Sequence, residues 1–217
     1  MARSMKNLKR ILNISKKIAT RPQSLSLLLD KEKERKGYLQ KTHGYTQLRT
    51  IDILDILPDF NETVRNYSFL AQTSLITDIL LLKGLARKFD ACTFLEIGCW
   101  RGESIANVAE VAKECISISL SPEEMRQQNL SEEYIKLHGC LSRGFDNITY
   151  IEHNSATFDF SSLNKKFDLI YIDGDHSCSG VKISFRNTAS FLEEFWRRDC
   201  IAFSRSPAFR LRTFLAS

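Results

Sequence analysis

The sequence has no long apolar run. No stretch of 18 apolar residues occurs in its 217, and the most apolar segment, Ile76 to Leu85, is broken by Asp78, Lys83 and Gly84. A bilayer-spanning helix needs about 20 predominantly apolar residues, so no transmembrane span is expected. The N-terminus is basic but lacks an apolar core and a small-residue cleavage site, so it does not read as a secretory signal. Zinc-type spacing is also missing. The six cysteines, at 92, 99, 115, 140, 178 and 200, form no C-x-x-C pair, and no histidine stands at ligand distance in sequence. Cys92, Cys99, Cys115 and Cys200 fall on or beside apolar runs, where a free thiol packs as a small hydrophobe. Reduced structural cysteines in a cytoplasmic protein are expected. Neither G-x-G-x-x-G nor a phosphate-loop lysine occurs, which disfavours a dinucleotide or nucleoside triphosphate as ligand. There is no internal repeat and no low-complexity segment.

What charge there is lies at the ends. The net charge is +5, but residues 1–22 carry +7 and residues 197–217 carry +4, leaving −6 on residues 23–196. A mildly acidic centre argues against a domain-wide nucleic-acid surface. Residues 3–19 place Met5, Leu8, Ile11, Leu12 and Ile18 at helical spacing among lysines and arginines. Such a basic amphipathic helix lies on an anionic membrane or docks on its own domain or a second subunit; the lack of aromatics favours docking. Pro22 ends the pattern. Residues 30–36 are a charge run, read as a solvated helix face, and residues 51–60 are a short apolar element packing on the main domain.

From residue 73 the chain alternates. Thr73 and Ser74 are placed to cap a helix reaching about Phe89. Strands are expected at Cys92–Ile97, Cys115–Leu120, Ile148–Glu152, Phe167–Asp173 and Cys200–Phe203. Helices are expected at Ser104–Lys113, from Pro122, at Ser131–Leu141 and at Gly180–Phe195. Strands separated by helices mean a parallel sheet with right-handed crossovers. The expected organisation is an N-terminal helical extension over 1–69 and an α/β domain over 70–217.

Two strand ends carry the chemistry. Residues 94–102 read Phe-Leu-Glu-Ile-Gly-Cys-Trp-Arg-Gly, and residues 167–176 read Phe-Asp-Leu-Ile-Tyr-Ile-Asp-Gly-Asp-His. Each apolar run stops at an acid and turns on glycine. Ligands of open α/β sheets bind beyond the carboxyl ends of such strands, so Glu96, Gly98, Gly102 and Asp173 are expected around one crevice. Gly98 and Gly102 let the backbone turn and a ligand approach closely.

An acidic strand end followed by G-x-x-x-G resembles the first motif of class I S-adenosylmethionine-dependent methyltransferases. The Ile-Asp-Gly-Asp-His strand end is similar to that of their small-molecule and sugar O-methyltransferase branch (methyltransferase 24-type). The resemblance covers roughly residues 70–204. It implies a Rossmann-like doubly wound parallel sheet and a methyl transferred from S-adenosylmethionine to a hydroxyl of a small molecule, sugars included. It implies that Glu96, Gly98, Cys99, Trp100 and Gly102 hold the methionine part, and Ser119 and Leu120 the ribose. Asn154 and Ser155 would meet the adenine, and Asp173 would face the transferred methyl. The family commonly has an acid where Ser119 stands, and Glu123 is the alternative. Asp173, Asp175 and His176 are the catalytic candidates, with His176 as base. Asp173 alternatively holds magnesium, a doubtful role because Ser204 and Arg205 stand where metal-dependent relatives complete the site. No residue is assigned as a metal ligand.

The family's fold continues past the fifth strand with a helix and two strands. Here Arg205–Ser217 shows neither strand nor helix logic, which reads as a truncated C-terminal half. The alternative function is therefore a non-catalytic S-adenosylmethionine-binding or subunit-interaction protein that has lost activity. A homo-oligomer is compatible with either.

Overall fold

The computed structural model describes residues 37, 40, 41, 44, 51–70, 73–175, 178–191, 201–202 and 212–213. The chain divides into two compact units, Met1–Thr50 and Ile51–Ser217. In the first, the Gly44 amide bonds the Gln40 carbonyl at 3.1 Å. The basic helix expected over 3–19, the charged face of 30–36 and His176 lie outside the described residues.

The second unit is built on four parallel strands: β1 (Thr93–Ile97), β2 (Glu114–Ser119), β3 (Ile148–Glu152) and β4 (Leu169–Ile172). Their order is β3-β2-β1-β4, with Glu96 beside Ser117 on one side and Tyr171 on the other. The chain steps outward from β1 to β3, then crosses back to β4. The order thus reverses between β1 and β4, and a crevice opens at their carboxyl ends.

Both faces of the sheet are buried, which is why its strands read as continuous apolar runs. Phe94, Cys115, Leu169 and Tyr171 face one core with Leu82, Leu85, Ile105 and Val108. Leu95, Ile97, Ile116, Ile118, Ile170 and Ile172 face the other with Phe160 and Phe167. The period of two along each strand sorts neighbours into opposite layers.

Helices α1 (Ile53–Ile56), α2 (Ile76–Arg87), α3 (Glu103–Ala109), α4 (Pro122–Gln127), α5 (Glu132–Leu137) and α6 (Cys178–Thr188) complete the unit, with a 3-10 turn at Phe160–Leu163. Pro122 takes the first turn of α4, and Ser121 and Glu124 close a capping box there. Ser131 caps α5 as expected, accepting from the Tyr134 amide. Thr73 and Ser74 do not cap α2, whose N-cap is Leu75 with no side-chain bond; the Ser74 hydroxyl lines the crevice instead, and Thr73 accepts from Arg101. The short apolar element before the domain packs as expected: Leu57 is buried with the α2 and α3 core, and Phe60 packs on it.

The C-terminal end differs from expectation. Residues Ile201–Ala202 (β5) pair antiparallel with Arg212–Thr213 (β6), and no described strand bonds the outer edge of β4. The expected fifth parallel strand is thus a two-residue antiparallel ladder, and the stretch expected to lack strand structure supplies its partner. Ladder bonding is chosen by whichever segment lies alongside, which local pattern does not encode.

Candidate active site

The crevice is a cavity of about 810 Å³ at the carboxyl edge of the sheet, within the size range of small-molecule sites. Gly98 and Asp173 meet at its floor. The Asp173 amide donates to the Ile97 carbonyl at 2.8 Å, joining the two strand ends. Gly98 has φ +88, and a Cβ there would lie 2.4 Å from Gly174 Cα. The glycine is required because two backbone turns touch, so its first duty is to the fold. Gly102, at φ +85, admits Ser142 in the same way, its absent Cβ leaving room for Ser142 Oγ.

Of the twelve residues expected in the site, ten line this cavity: Gly98, Cys99, Trp100, Gly102, Ser119, Leu120, Asn154, Ser155, Asp173 and Asp175. Glu96 does not line it. The residue is fully buried, with its carboxyl held by the Ser104 hydroxyl of α3, and Ser104 is on the wall. Glu96 Oε2 has no partner among the described residues. Burial pushes the Glu96 carboxyl up to about 8, Ser104 opposes this, and the nearby charge of Asp173 adds to it. A buried acceptor with an unmet valence, one side chain from the cavity, fits a cationic ligand group.

Several expected contacts already have protein partners. Asn154 Oδ1 accepts from the Ala156 amide at 2.9 Å, making an Asx turn. Ser119 Oγ lies 3.0 Å from His138 Nε2. Trp100 stacks on Tyr134 at 4.7 Å and 9°, with the Arg101 guanidinium 3.8 Å from its ring centre. Asp175 sits against the start of α6, since a Cβ on Gly180 would lie 2.3 Å from its Oδ2. A carboxylate there complements the positive helix end. Glu123, the alternative to Ser119, is off the wall; its side chain is 73% exposed and pairs with Arg126 at 3.3 Å. The Cys99 thiol is pushed well above its ordinary range, first by burial and then by the charge of Glu96, so it is no nucleophile. Cys92, Cys99, Cys115 and Cys140 are free.

A polar network missed in the sequence closes the near side. Ser74 Oγ donates to Asp173 Oδ2 at 3.3 Å. Glu103 Oε1 accepts from the Ser68 hydroxyl and from Arg101 Nε at 3.1 Å, and Arg101 also donates to Thr73. Asn107 accepts from the Arg65 amide and donates to the Asn66 carbonyl, both at 2.9 Å. Arg101 is 2% exposed and Glu103 is 6%. The Arg101–Glu103 pair, two residues apart, was the available signal; Ser68 and Thr73 lie 30 or more residues away and gave none. Among the described residues no group of three metal-ligating side chains forms.

Residues 95–195 match a family model described as a methyltransferase domain. No curated protein matches the sequence. Among solved structures, a cofactor-bound protein from MTB, Rv0187, is 16% identical with a TM-score of 0.45, covering 62% of this chain and 57% of that one. A putative caffeoyl-CoA O-methyltransferase from Staphylococcus aureus is 21% identical with a TM-score of 0.43, covering 78% and 72%. The N-methyltransferase NodS from Bradyrhizobium japonicum, in complex with S-adenosyl-l-homocysteine, is 17% identical with a TM-score of 0.39, covering 59% of each chain. The matched stretch takes in β2 to β4, the end of β1, both glycine turns and most of the crevice wall, so residues 95–195 are similar to a methyltransferase domain.

Proposed function

We propose that this domain transfers a methyl group from S-adenosylmethionine to a hydroxyl of a small molecule. One observation carries the proposal. A single cavity joins the buried, unmatched carboxyl of Glu96, through Ser104, to the carboxylate of Asp173 on its floor. S-adenosylmethionine, when bound, supplies the electrophilic methyl and a cationic methionine end. Glu96, ionised by that charge, would hold the cationic end in a desolvated corner. Ile118, Leu120 and Met125 give the wall an apolar surface for the nucleoside. Asp173, oriented by Ser74, stands where it would accept the proton that the acceptor hydroxyl loses. His176 remains the second candidate for that proton. Asp175, which lines the cavity beside the start of α6, is a further candidate. The acceptor would enter past Ser74 and Ile183, which line the cavity and sit on different elements. The cytoplasm suits this chemistry and the free thiols.

Calorimetric titration of the full chain with S-adenosylmethionine and with NAD tests the cofactor. S-adenosylmethionine is expected to bind and NAD is not. Binding of NAD alone would overturn the assignment.

A further inference from the structure

Two large apolar residues occupy positions where local physics favours small polar ones. Phe69 has φ +58, in the left-handed region that Gly and Asn tolerate and a bulky residue rarely adopts. Leu75 is the N-cap of α2 and makes no side-chain bond there, where Ser, Thr, Asp or Asn would satisfy a helix N–H. Burial does not offset either choice: Phe69 is 81% exposed and Leu75 is 57%. Their neighbours Leu70 and Ile76 are exposed as well.

The four stand at the mouth of the cavity. Leu75 and Ile76 follow Ser74, which lines it. Phe69 packs edge-on against Tyr67 with ring centres 4.8 Å apart, and the Tyr67 hydroxyl donates to the Ser74 carbonyl at 3.1 Å. The Ser68 and Thr73 hydroxyls are 3.3 Å apart and both bond Glu103, so both flanks of the Phe69–Leu70 pair are tied to α3. Ile183 of α6, also exposed, lines the cavity as Ser74 does.

The polar part of the same side is acidic, with Asp173 and Asp175 on the wall. Among the described residues that line the cavity, Arg101 is the only cation, and it is engaged with Glu103, Thr73 and the Trp100 ring. An anionic acceptor would meet two carboxylates there. A sugar would set several hydroxyls against aliphatic carbon, where they lose water and gain no partner. Four side chains also make too small a patch for a stable protein interface, which takes about 800 Å² on each partner.

We propose that Phe69, Leu70, Leu75 and Ile76 form a platform for the apolar body of the methyl acceptor, whose hydroxyl points inward to Asp173; the acceptor is thus an uncharged hydroxyl compound with an apolar body. The inference rests on the function proposed above. Side chains that are unfavourable in the free chain contribute once a ligand covers them.

The test is calorimetric binding of 2-naphthol to the full chain saturated with S-adenosylhomocysteine. One equivalent should bind. Methyl glucoside should not, and 3-hydroxy-2-naphthoate, which sets a carboxylate beside the same hydroxyl, should bind at least about tenfold more weakly. Phe69→Asn and Leu75→Ser should each weaken 2-naphthol about fivefold and leave S-adenosylhomocysteine affinity unchanged. Both variants keep the fold, since Asn tolerates the backbone at 69 and Ser suits an N-cap, so melting temperature should not fall. Leu54→Ser is the control. It removes an exposed apolar side chain on α1, which meets the C-terminal end of α2 through Lys88 and the Ile56 carbonyl at 3.4 Å, about 18 Å along that helix from Leu75. It should change nothing. If S-adenosylhomocysteine binds but 2-naphthol does not, the proposal is overturned and the function above stands. The same follows if the glucoside or the naphthoate binds as well as 2-naphthol, or if neither mouth variant weakens it more than Leu54→Ser. No binding of S-adenosylhomocysteine overturns the function and the proposal together.

Discussion

At the scale of single residues, two carboxyls separate by environment. Glu96 is fully buried and its carboxyl is raised to about 8, whereas Asp173 lies on the cavity floor beside Ser74. Between pH 4.5 and 8 the native state holds a proton on Glu96 that the unfolded chain has lost. Stability should therefore fall as pH rises through that window, by up to about 1.4 kcal/mol per pH unit. Glu96→Gln should flatten this slope, as urea unfolding at several pH values would show; an unchanged slope would mean that Glu96 is ionised in the fold. A cation bound near Glu96 should displace the proton, making the calorimetric enthalpy depend on the buffer. Asp173→Asn keeps shape and removes charge. Turnover should drop about 100-fold or more with cofactor affinity little changed. Unchanged turnover would remove Asp173 from the chemistry. Gly98→Val, by contrast, is no clean probe of the cofactor, because its side chain would strike Gly174 before any ligand.

At the scale of elements, α3 is the clasp of the site. A helix face with Glu103, Asn107 and Ser104 would ordinarily be called solvated, yet all three are buried. Each has a distant partner: Ser68, Asn66 with Arg65, and Glu96 respectively. Burial of these groups is tolerable only because they are paired. Glu103→Ala removes one ionic partner of the buried Arg101 and should destabilise the domain by about 3 kcal/mol. It should also raise amide exchange across residues 65–70, which would lose the bond from Ser68 while keeping those of Asn107 and Tyr67. Loss of stability without faster exchange there would show that α3 does not anchor this segment. Lys83 makes a similar tie between α2 and the same stretch, donating to the Thr63 carbonyl at 2.8 Å and Glu110 at 2.6 Å.

At the scale of the molecule, the sheet sets a gradient of protection. β1 and β2 each have a strand on both sides, while β3 and β4 are bonded on one side among the described residues. Local opening should therefore require least energy at β4 and β3. Native-state hydrogen exchange should rank β1 and β2 amides slowest; equally slow exchange in β4 would mean that its outer edge is covered in solution.

The same sheet shows what sequence alone determined. A parallel strand buried on both faces must be apolar throughout, and it must leave the sheet on residues that permit a tight turn. Both demands are local, so Phe94–Gly98 and Leu169–Gly174 announced their strands, their ends and the crevice between them. The starts of α4 at Pro122 and of α5 after Ser131 were legible for the same reason. Tertiary structure alone decided which polar groups meet. Ser74 was placed to cap a helix but reaches Asp173 across 99 residues. Ser119 was a lone strand-end hydroxyl until the chain after α5 brought His138 to it. Glu96 was expected at the cavity surface, and α3 lies over it instead. Side-chain partners are chosen where separate elements pack, and no spacing within one element records that choice.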